Sequence, residues 1–284
     1  MTAGDIKVRI GDHGASSAMS GVVCNGDDDY VRIDAVATLE AGQAYTKGTI
    51  SAWVCIPNVT ATFAVFSIGL SSGVSHYGLR IKAGKPQFYA ITANTVKADY
   101  SATTASLIPH KWHHVCVTQS GVIPTLYLDG VAVAMTITDG TTPGYWGDTL
   151  TTWDKGAIGI NVTNGTTIND FLGGISYVKY SSSAAVTSCW TPAQVKAEYD
   201  YRGGLGSGSG TASDLCTWTL NGTLADSQTG GATYDGTIVS DVQYDAEYSQ
   251  LTSKIRLLAP VVADDFTMVS RGGDGYIFMV VKAA

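Results

Sequence analysis

The sequence has few charged residues and no long apolar run. Charged residues make up 14% of the 284 residues, whereas about a quarter is usual for soluble domains. The net charge is −7 and the 17 Lys and Arg residues are spread along the chain, which argues against a nucleic-acid groove because phosphate binding needs clustered cations. No apolar stretch approaches the length of a membrane span. We therefore expect neither nucleic acid nor a membrane as a partner.

Paired cysteines and an export signal are missing as well. The residues after Met1 contain neither the basic region nor the apolar stretch of a signal peptide, so we expect a protein made without secretion. The cysteines are odd in number and lack paired spacing, which indicates reduced, structural thiols. They are Cys24, Cys55, Cys116, Cys189 and Cys216.

Short β-prone runs bounded by turn residues recur from residue 7 to residue 180. In the clearest case, residues 112–119 and 126–133 alternate apolar and polar side chains around Asp129 and Gly130, a pair that suits the positive φ angles of a primed hairpin turn. Apolar residues make up 45% of the chain, which is enough for a substantial core. The pattern predicts an all-β sandwich.

One helix and one connector interrupt this pattern. Thr191, Pro192 and Gln194 resemble an N-cap, a first-turn proline and a capping-box partner, so we expect a single short helix there. Residues 203–213 are rich in Gly and Ser, as in a flexible connector. We therefore predict a sandwich over residues 1–202, this connector, and a C-terminal extension over residues 214–284 that partly completes the sandwich.

The extension ends in an apolar β-prone run at residues 276–281. An exposed apolar edge strand invites pairing with another chain. The run can join the parent sandwich, form a small sheet, or dock on a neighbouring subunit as an assembly arm. In the third case, the assembly contacts are Tyr276, Ile277, Phe278 and Val280.

A series of short landmarks follows in order between Tyr30 and Tyr201. They are residues 30–33, 49–54, 112–115, 126–130, 157–159, 171–180 and the helix at 191–201. This series resembles the laminin G-like branch of the concanavalin A-like lectin/glucanase superfamily. The resemblance implies a two-sheet jelly-roll sandwich. It leaves function open, because such sandwiches serve as lectins, adhesion modules, glycosidases and structural virion proteins.

The acids that the resemblance implies for a glycosidase are missing. Glycosidases of this superfamily carry a Glu-x-Asp-x-x-Glu strand, which places a nucleophile and a general acid on one face. The glutamates here are Glu40, Glu198 and Glu247, so no two of them stand five positions apart as this motif requires, and Glu198 lies with Asp200 in the expected helix. We therefore predict that the protein is not an enzyme, with an Asp pair from distant loops as the alternative.

Two patterns suggest a metal site. His113 and His114 are adjacent in an expected strand, so their side chains point to opposite faces and cannot share one ion. Asp27 and Asp29 lie in an expected loop, and the resemblance implies a calcium ion at the sandwich rim, where hard cations prefer carboxylate oxygens. The alternative is a solvated turn. No cofactor other than calcium is expected.

The segment 139–156 is the candidate glycan site. Tyr145, Trp146 and Trp153 are set among Gly, Thr and Asp148. Aromatic faces stack on sugar rings, and a neighbouring carboxylate accepts hydrogen bonds from sugar hydroxyls. The alternative is that the rings fold inwards and cap the core under a long loop.

A lectin-type sandwich without an export signal fits a bacteriophage particle, which reaches the outside by lysis. We therefore predict a virion protein assembled in the host cytoplasm, such as a capsid decoration, fibre or tail component. Its partners would be further copies of itself, other virion proteins and a surface glycan. The alternatives are an extracellular carbohydrate-binding lectin and a glycoside hydrolase with displaced acids.

Overall fold

The computed structural model describes residues 6–9, 21–43, 45–72, 74–139, 144–147, 152–163, 166–183, 189–200, 216–218, 220, 234–239, 243–245, 266–271 and 277–281. The chain divides into two compact units. The larger unit spans residues 19–250, and the smaller unit combines residues 1–18 with residues 251–284.

The larger unit is built almost entirely from β-strands. In chain order its elements are β2 (Gly21–Asn25), β3 (Tyr30–Arg32), α1 (Asp34–Glu40), β4 (Lys47–Cys55), β5 (Thr62–Gly69), β6 (His76–Lys82), β7 (Lys85–Thr92), β8 (Thr95–Ala102), β9 (His113–Ser120), β10 (Thr125–Leu128), β11 (Val131–Ala132), β12 (Met135–Asp139), β13 (Lys155–Ile158), β14 (Asn161–Thr163), β15 (Thr166–Ile168), β16 (Leu172–Ser183), α2 (Pro192–Asp200), β17 (Cys216–Trp218), β18 (Thr237–Val239) and β19 (Gln243–Asp245).

Two large antiparallel sheets face each other in this unit. The first sheet has the order β11-β10-β9-β4-β16-β2-β19, and β17 also pairs with β16. The second sheet has the order β12-β8-β7-β6-β5-β13-β3-β18, and β14 and β15 form a separate hairpin. The chain crosses between the sheets at several connections, such as β3–β4, β4–β5 and β8–β9, whereas β5 to β8 are neighbours within the second sheet. The two facing sheets confirm the expected all-β jelly-roll sandwich.

The core lies between the sheets because alternate side chains of each strand point inwards. Ile50 and Val54 of β4 face Phe66 of β5 and Leu79 of β6, and all four are fully buried. The core is continuous across both sheets and includes all the strands that the sequence pattern had marked most clearly.

The β10–β11 hairpin has the expected turn. Asp129 and Gly130 have φ angles of 52° and 76°, and the Asp129 carboxylate also binds the preceding strand. His113 Nδ1 lies 2.8 Å from one carboxylate oxygen, and the His114 backbone N–H donates to the other at 3.0 Å. Because the Ile108 N–H donates to His113 Nε2 at 3.0 Å, His113 carries its proton on Nδ1 and donates it to Asp129.

Helix α2 covers the outer face of the first sheet. Its capping box forms as expected, since Gln194 N–H donates to Thr191 Oγ1 at 3.3 Å and Thr191 N–H donates to Gln194 Oε1 at 2.8 Å. Tyr199 stacks on Trp53 of β4 with ring centroids 5.7 Å apart. The helix therefore buries polar strand positions that would otherwise face water.

The expectation of a single helix was wrong, because α1 is a second one. Val36, Ala37 and Glu40 of α1 are buried, so the helix is held by its contact with the core. Its N-cap residue is Ile33, which makes no side-chain capping bond. Without a capping signal, the start of this helix could not be predicted.

The smaller unit is a three-stranded sheet of β1 (Ile6–Arg9), β20 (Phe266–Arg271) and β21 (Ile277–Val281). β21 is the central strand and pairs antiparallel with β1 and with β20. Both of its edges are thus occupied within the chain, so Ile277, Phe278 and Val280 do not lie on the unpaired strand that the assembly-arm prediction required. Tyr276 lies outside the described residues.

The segments after residue 214 contribute to both units. β17 and β19 extend the first sheet and β18 extends the second sheet, whereas β20 and β21 belong to the smaller unit together with β1. The expected connector at 203–213 lies outside the described residues. Within the described part of the chain, no helix is long and apolar enough to cross a membrane.

Candidate functional site

The aromatic residues predicted to bind glycans are buried in the core. Tyr145, Trp146 and Trp153 are 1%, 0% and 2% exposed. Trp146 stacks on Phe88 with ring centroids 5.3 Å apart, and Trp153 meets Tyr77 at 5.3 Å. The prediction that these rings offer a stacking surface to a sugar is corrected, because their faces are already covered. The inward-folded alternative describes their position, and Asp148 lies outside the described residues.

A buried hydrogen-bond chain holds these rings. Trp146 Nε1 donates to Ser182 Oγ at 3.1 Å, and Ser182 Oγ donates to Glu40 Oε2 at 3.1 Å. The hydroxyls of Tyr77 and Tyr180 lie 2.7 Å apart beside this chain. Burial raises the pKa of Glu40 to about 7, although hydrogen bonds with Tyr180 and Ser182 lower it. Glu40 is therefore a core carboxyl that keeps its proton in mildly acidic solution.

Replacing Glu40 by glutamine is expected to make stability less dependent on pH. The pKa of Glu40 rises from 4.5 to about 7 on folding, so the stabilisation is complete below pH 4.5 and is lost as the pH rises through 7. At pH 8, the free energy of unfolding of E40Q should therefore be about 3 kcal/mol higher than that of the native chain. At pH 4.5 the two should be nearly equal. Urea titrations at both pH values measure this, and a pH-independent difference would contradict the burial of Glu40.

The predicted calcium ligands form a tight turn. Asp29 is 2% exposed, and its Oδ2 accepts the Asn25 N–H at 3.0 Å. Asp27 is exposed and donates its own N–H to Asn25 Oδ1 at 2.7 Å. The described residues contain no cluster of three His, Cys, Asp or Glu side chains placed to hold a metal ion. Asp27 and Asp29 thus act in a turn, and a calcium ion there stays a prediction.

The adjacent histidines are separated as expected. His113 binds Asp129 near the hairpin, whereas His114 Nε2 lies 2.8 Å from Ser51 Oγ beneath α2. Burial lowers the pKa of His114 to about 3, so it is neutral at physiological pH. None of the five cysteines, all of which lie in the described part of the chain, forms a disulfide.

The outer sides of β6, β7 and β8 form a face that differs from the rest of the sandwich. Leu79, Phe88 and Tyr100 of these strands point into the core, so the alternate residues point outwards. We call this outer surface the polar face. Its residues are His76, Arg80, Lys82, Lys85, Gln87, Tyr89, Asp99 and Ser101.

Tyr89 lies at the centre of the polar face. It is directly opposite Gly78 of β6, so no side chain stands beneath its ring on that strand. The Arg80 guanidinium carbon lies 3.7 Å from the ring centroid, and the His76 ring lies 5.7 Å away. The half-buried Tyr89 ring therefore has a cation over it and an imidazole nearby.

A hydrogen-bonded ribbon crosses the three strands beside Tyr89. Arg80 Nε donates to Gln87 Oε1, and Gln87 Nε2 donates to Asp99 Oδ1 and, at 2.7 Å, to Ser101 Oγ. The register explains the ribbon, because Arg80, Gln87 and Ser101 stand opposite one another on adjacent strands. The network fixes the orientation of Arg80 before any ligand arrives.

His76 adds buried polar atoms that lack a partner. It is 4% exposed, and neither ring nitrogen has a hydrogen-bond partner among the described residues. Burial, followed by the charge of Arg80, lowers the pKa of His76 to about 4. The imidazole is thus neutral near pH 7, and it can donate or accept one hydrogen bond on each nitrogen.

Such a surface suits sugar recognition. A glycan presents apolar C–H patches that pack on aromatic rings and hydroxyls that bond to amides, carboxylates and guanidinium groups. Sequence reasoning missed the polar face because its residues are spread over 26 positions and only the strand register aligns them. The signal that could have indicated this face is the alternation of polar and apolar side chains in residues 76–82 and 85–91.

Comparison with known proteins identifies the fold. The sequence model of Laminin_G_3, described as the concanavalin A-like lectin/glucanases superfamily, matches residues 25–185. A candidate carbohydrate-binding protein from Bacteroides ovatus ATCC 8483 is 16% identical with a TM-score of 0.54, and the match covers 81% of this chain and 60% of that one. No curated protein sequence matches the chain.

Two more distant solved structures share the general shape. The CBM40 module of Ruminococcus gnavus IT-sialidase, bound to α2,3-sialyllactose, is 15% identical with a TM-score of 0.45, and the match covers 68% of this chain and 97% of that one. Domain 4 of an extracellular GH43 arabinanase from Geobacillus stearothermophilus, in complex with arabinotriose, is 17% identical with a TM-score of 0.43. That match covers 68% of this chain and 81% of the other.

Proposed function

Because the chain belongs to the Laminin_G_3 family of the concanavalin A-like lectin/glucanases superfamily, we propose that it is a non-enzymatic binding protein that holds a glycan on its polar face. The carrying observation is the arrangement of Tyr89, Arg80 and Gln87, which offers an aromatic ring beside oriented hydrogen-bonding groups. The two outer faces of the sandwich differ, since α2 covers the first sheet at Trp53. The carbohydrate-binding description of the Bacteroides ovatus protein is in keeping with this use of the fold.

Replacing Tyr89 by alanine is expected to weaken glycan binding by about 30-fold, the cost of removing a central aromatic contact of about 2 kcal/mol. The measurement is a glycan array followed by calorimetry with the best polysaccharide. Tyr45→Ala is the matched control, because Tyr45 is a half-exposed tyrosine in the loop before β4. No saturable binding by the native chain, or equal losses in both variants, would overturn the proposal.

One observation favours a hydrolase as the second candidate. Asp99 of β8 and Asp139 of β12 stand opposite each other in the sheet register, and directly opposed residues have Cβ atoms about 4.5–5.5 Å apart. Retaining glycosidases hold their two carboxyl groups at a similar separation. Polysaccharide turnover by the native chain that Asp99→Asn abolishes would replace binding by hydrolysis as the function.

We propose a bacteriophage particle as the setting, with the protein serving as a capsid decoration, fibre or tail component. Five cysteines without a disulfide suit assembly in a reducing cytoplasm, and the low content of charged residues leaves a surface that repels few partners. Light scattering should then show a dimer or trimer, and mass spectrometry should find the chain in purified particles. A monomer at high concentration, together with particles that lack the chain, would remove this setting.

A further inference from the structure

We infer that the polar face selects acidic polysaccharides and that Arg80 holds a sugar carboxylate. This inference rests on the proposed glycan binding and adds the chemical class of the ligand. It is carried by two independent observations: the charge of the strands that form the polar face, and the geometry of Arg80.

The polar face has the opposite charge to the chain as a whole. Its residues include three basic side chains, Arg80, Lys82 and Lys85, and one acidic side chain, Asp99, a net charge of +2 in a chain whose net charge is −7. Arg80, Lys82 and Lys85 point outwards together, since Lys82 and Lys85 are paired at the β6–β7 turn. Sequence reasoning treated the basic residues as scattered, and the strand register is what gathers these three. A local positive field attracts polyanions even on an acidic protein.

Arg80 is oriented but its charge is not neutralised by an ion pair. Its guanidinium carbon lies 3.7 Å from the centroid of the Tyr89 ring, and its Nε donates to Gln87. Among the described residues it forms no salt bridge. Asp99, the acid nearest in the ribbon, accepts from Gln87 Nε2 and acts on Arg80 through its charge without a direct ion pair. A guanidinium fixed in this way can offer its remaining N–H groups to a carboxylate in a two-pronged contact.

The other residues of the polar face would contact other parts of the polysaccharide. Tyr89 packs against the sugar ring that carries the carboxylate, and Lys82 lies two residues along β6 from Arg80, about 6.6 Å further along the strand. Lys82 is exposed, so it can meet a second acidic group of the same polymer. His76 adds no charge near pH 7, because burial lowers its pKa to about 4.

The test compares acidic polysaccharides with neutral forms of the same chains. The probes are polygalacturonate, alginate and hyaluronan, each beside its fully methyl-esterified form, with calorimetry at physiological salt. We expect at least one acidic form to bind the native chain about tenfold or more tighter than its ester. R80Q should lose most of this preference, and R80K should recover part of it because it keeps the charge but not the fork.

Controls separate this inference from folding and from general attraction. K82Q changes an exposed side chain, so its fold is not at risk, and it should lower the preference by a smaller factor than R80Q. K111Q removes the same charge from an exposed position outside the polar face and should leave the preference unchanged. Thermal melting of each variant shows whether a loss of binding comes from unfolding.

Each remaining outcome is decisive. Equal binding of acidic and esterified forms by the native chain would overturn the inference and leave glycan binding in place. Binding of neutral glycans alone would also overturn the selection of acidic polysaccharides and leave glycan binding in place. No binding of any glycan would overturn both the inference and the proposed function. Tighter binding of a thymidine oligonucleotide than of every acidic polysaccharide would assign the positive surface to nucleic acid instead.

Discussion

Replacing Glu198 by alanine is expected to lower the free energy of unfolding by about 3–5 kcal/mol. Glu198 of α2 is 0% exposed, and its Oε2 lies 2.8 Å from the ammonium of Lys179, which is 4% exposed. The variant leaves the Lys179 charge buried under the helix without its carboxylate. The ring of Trp190, whose centroid lies 5.7 Å from that ammonium, remains as a favourable neighbour. Urea unfolding at pH 7 measures the loss.

Two further variants show whether the ion pair is the cause. The double variant E198A with Lys179→Met should recover most of the stability, because removing both charges removes the unpaired buried cation. Asp200→Ala breaks the exposed pair between Lys196 and Asp200 on the same helix and should cost less than about 1 kcal/mol. A similar loss in E198A and D200A would show that the Lys179–Glu198 pair is not buried as described.

Replacing Trp146 by alanine is expected to cost about 3–5 kcal/mol of stability. Trp146 is 0% exposed, stacks on Phe88, and fills space that Gly48 leaves open, since a Cβ at Gly48 would lie 2.6 Å from the indole ring. The variant therefore leaves a large cavity between the sheets and removes the donor to Ser182. Chemical denaturation measures the change.

The same residue separates the two interpretations of segment 139–156. Trp146→Phe keeps a ring on Phe88 and loses the hydrogen bond to Ser182, so it should cost about 1–2 kcal/mol. Glycan binding by folded W146F should match that of the native chain. Reduced binding with unchanged stability in W146A would mean that the indole contacts the sugar rather than the core.

The all-β sandwich could be predicted because its signals are local. Alternation at residues 113–120 and the Asp129-Gly130 turn act over a few residues. The structure confirms the strand and the turn, but residues 113–119 are buried on both faces of the strand, not on one. The capping box at Thr191 is local in the same sense and located α2 to within one residue at each end. Helix α1 lacked such a signal, because its stability comes from burying Val36 and Ala37 against strands far away in sequence.

The sequence allowed the type of ligand to be predicted, but not the location of the candidate site. Aromatic and polar side chains in a lectin-like sandwich suggested a glycan, but composition alone favoured the loop around Trp146 over the strands around Tyr89. A loop aromatic and a strand aromatic have the same side chain, and only the packing of the two sheets decides which ring is covered. The polar face further needs Arg80, Gln87 and Ser101 in register across three strands.

The amino-acid order by itself determined the period-two strands, the hairpin turn and the capped helix of this protein, because each depends on backbone preferences within a few residues. The tertiary structure alone decided which aromatic rings are buried, that β21 pairs with β1, and that three cations share one outer surface. These outcomes depend on contacts between residues distant in the chain, and such contacts form only when the complete sheets close on one core.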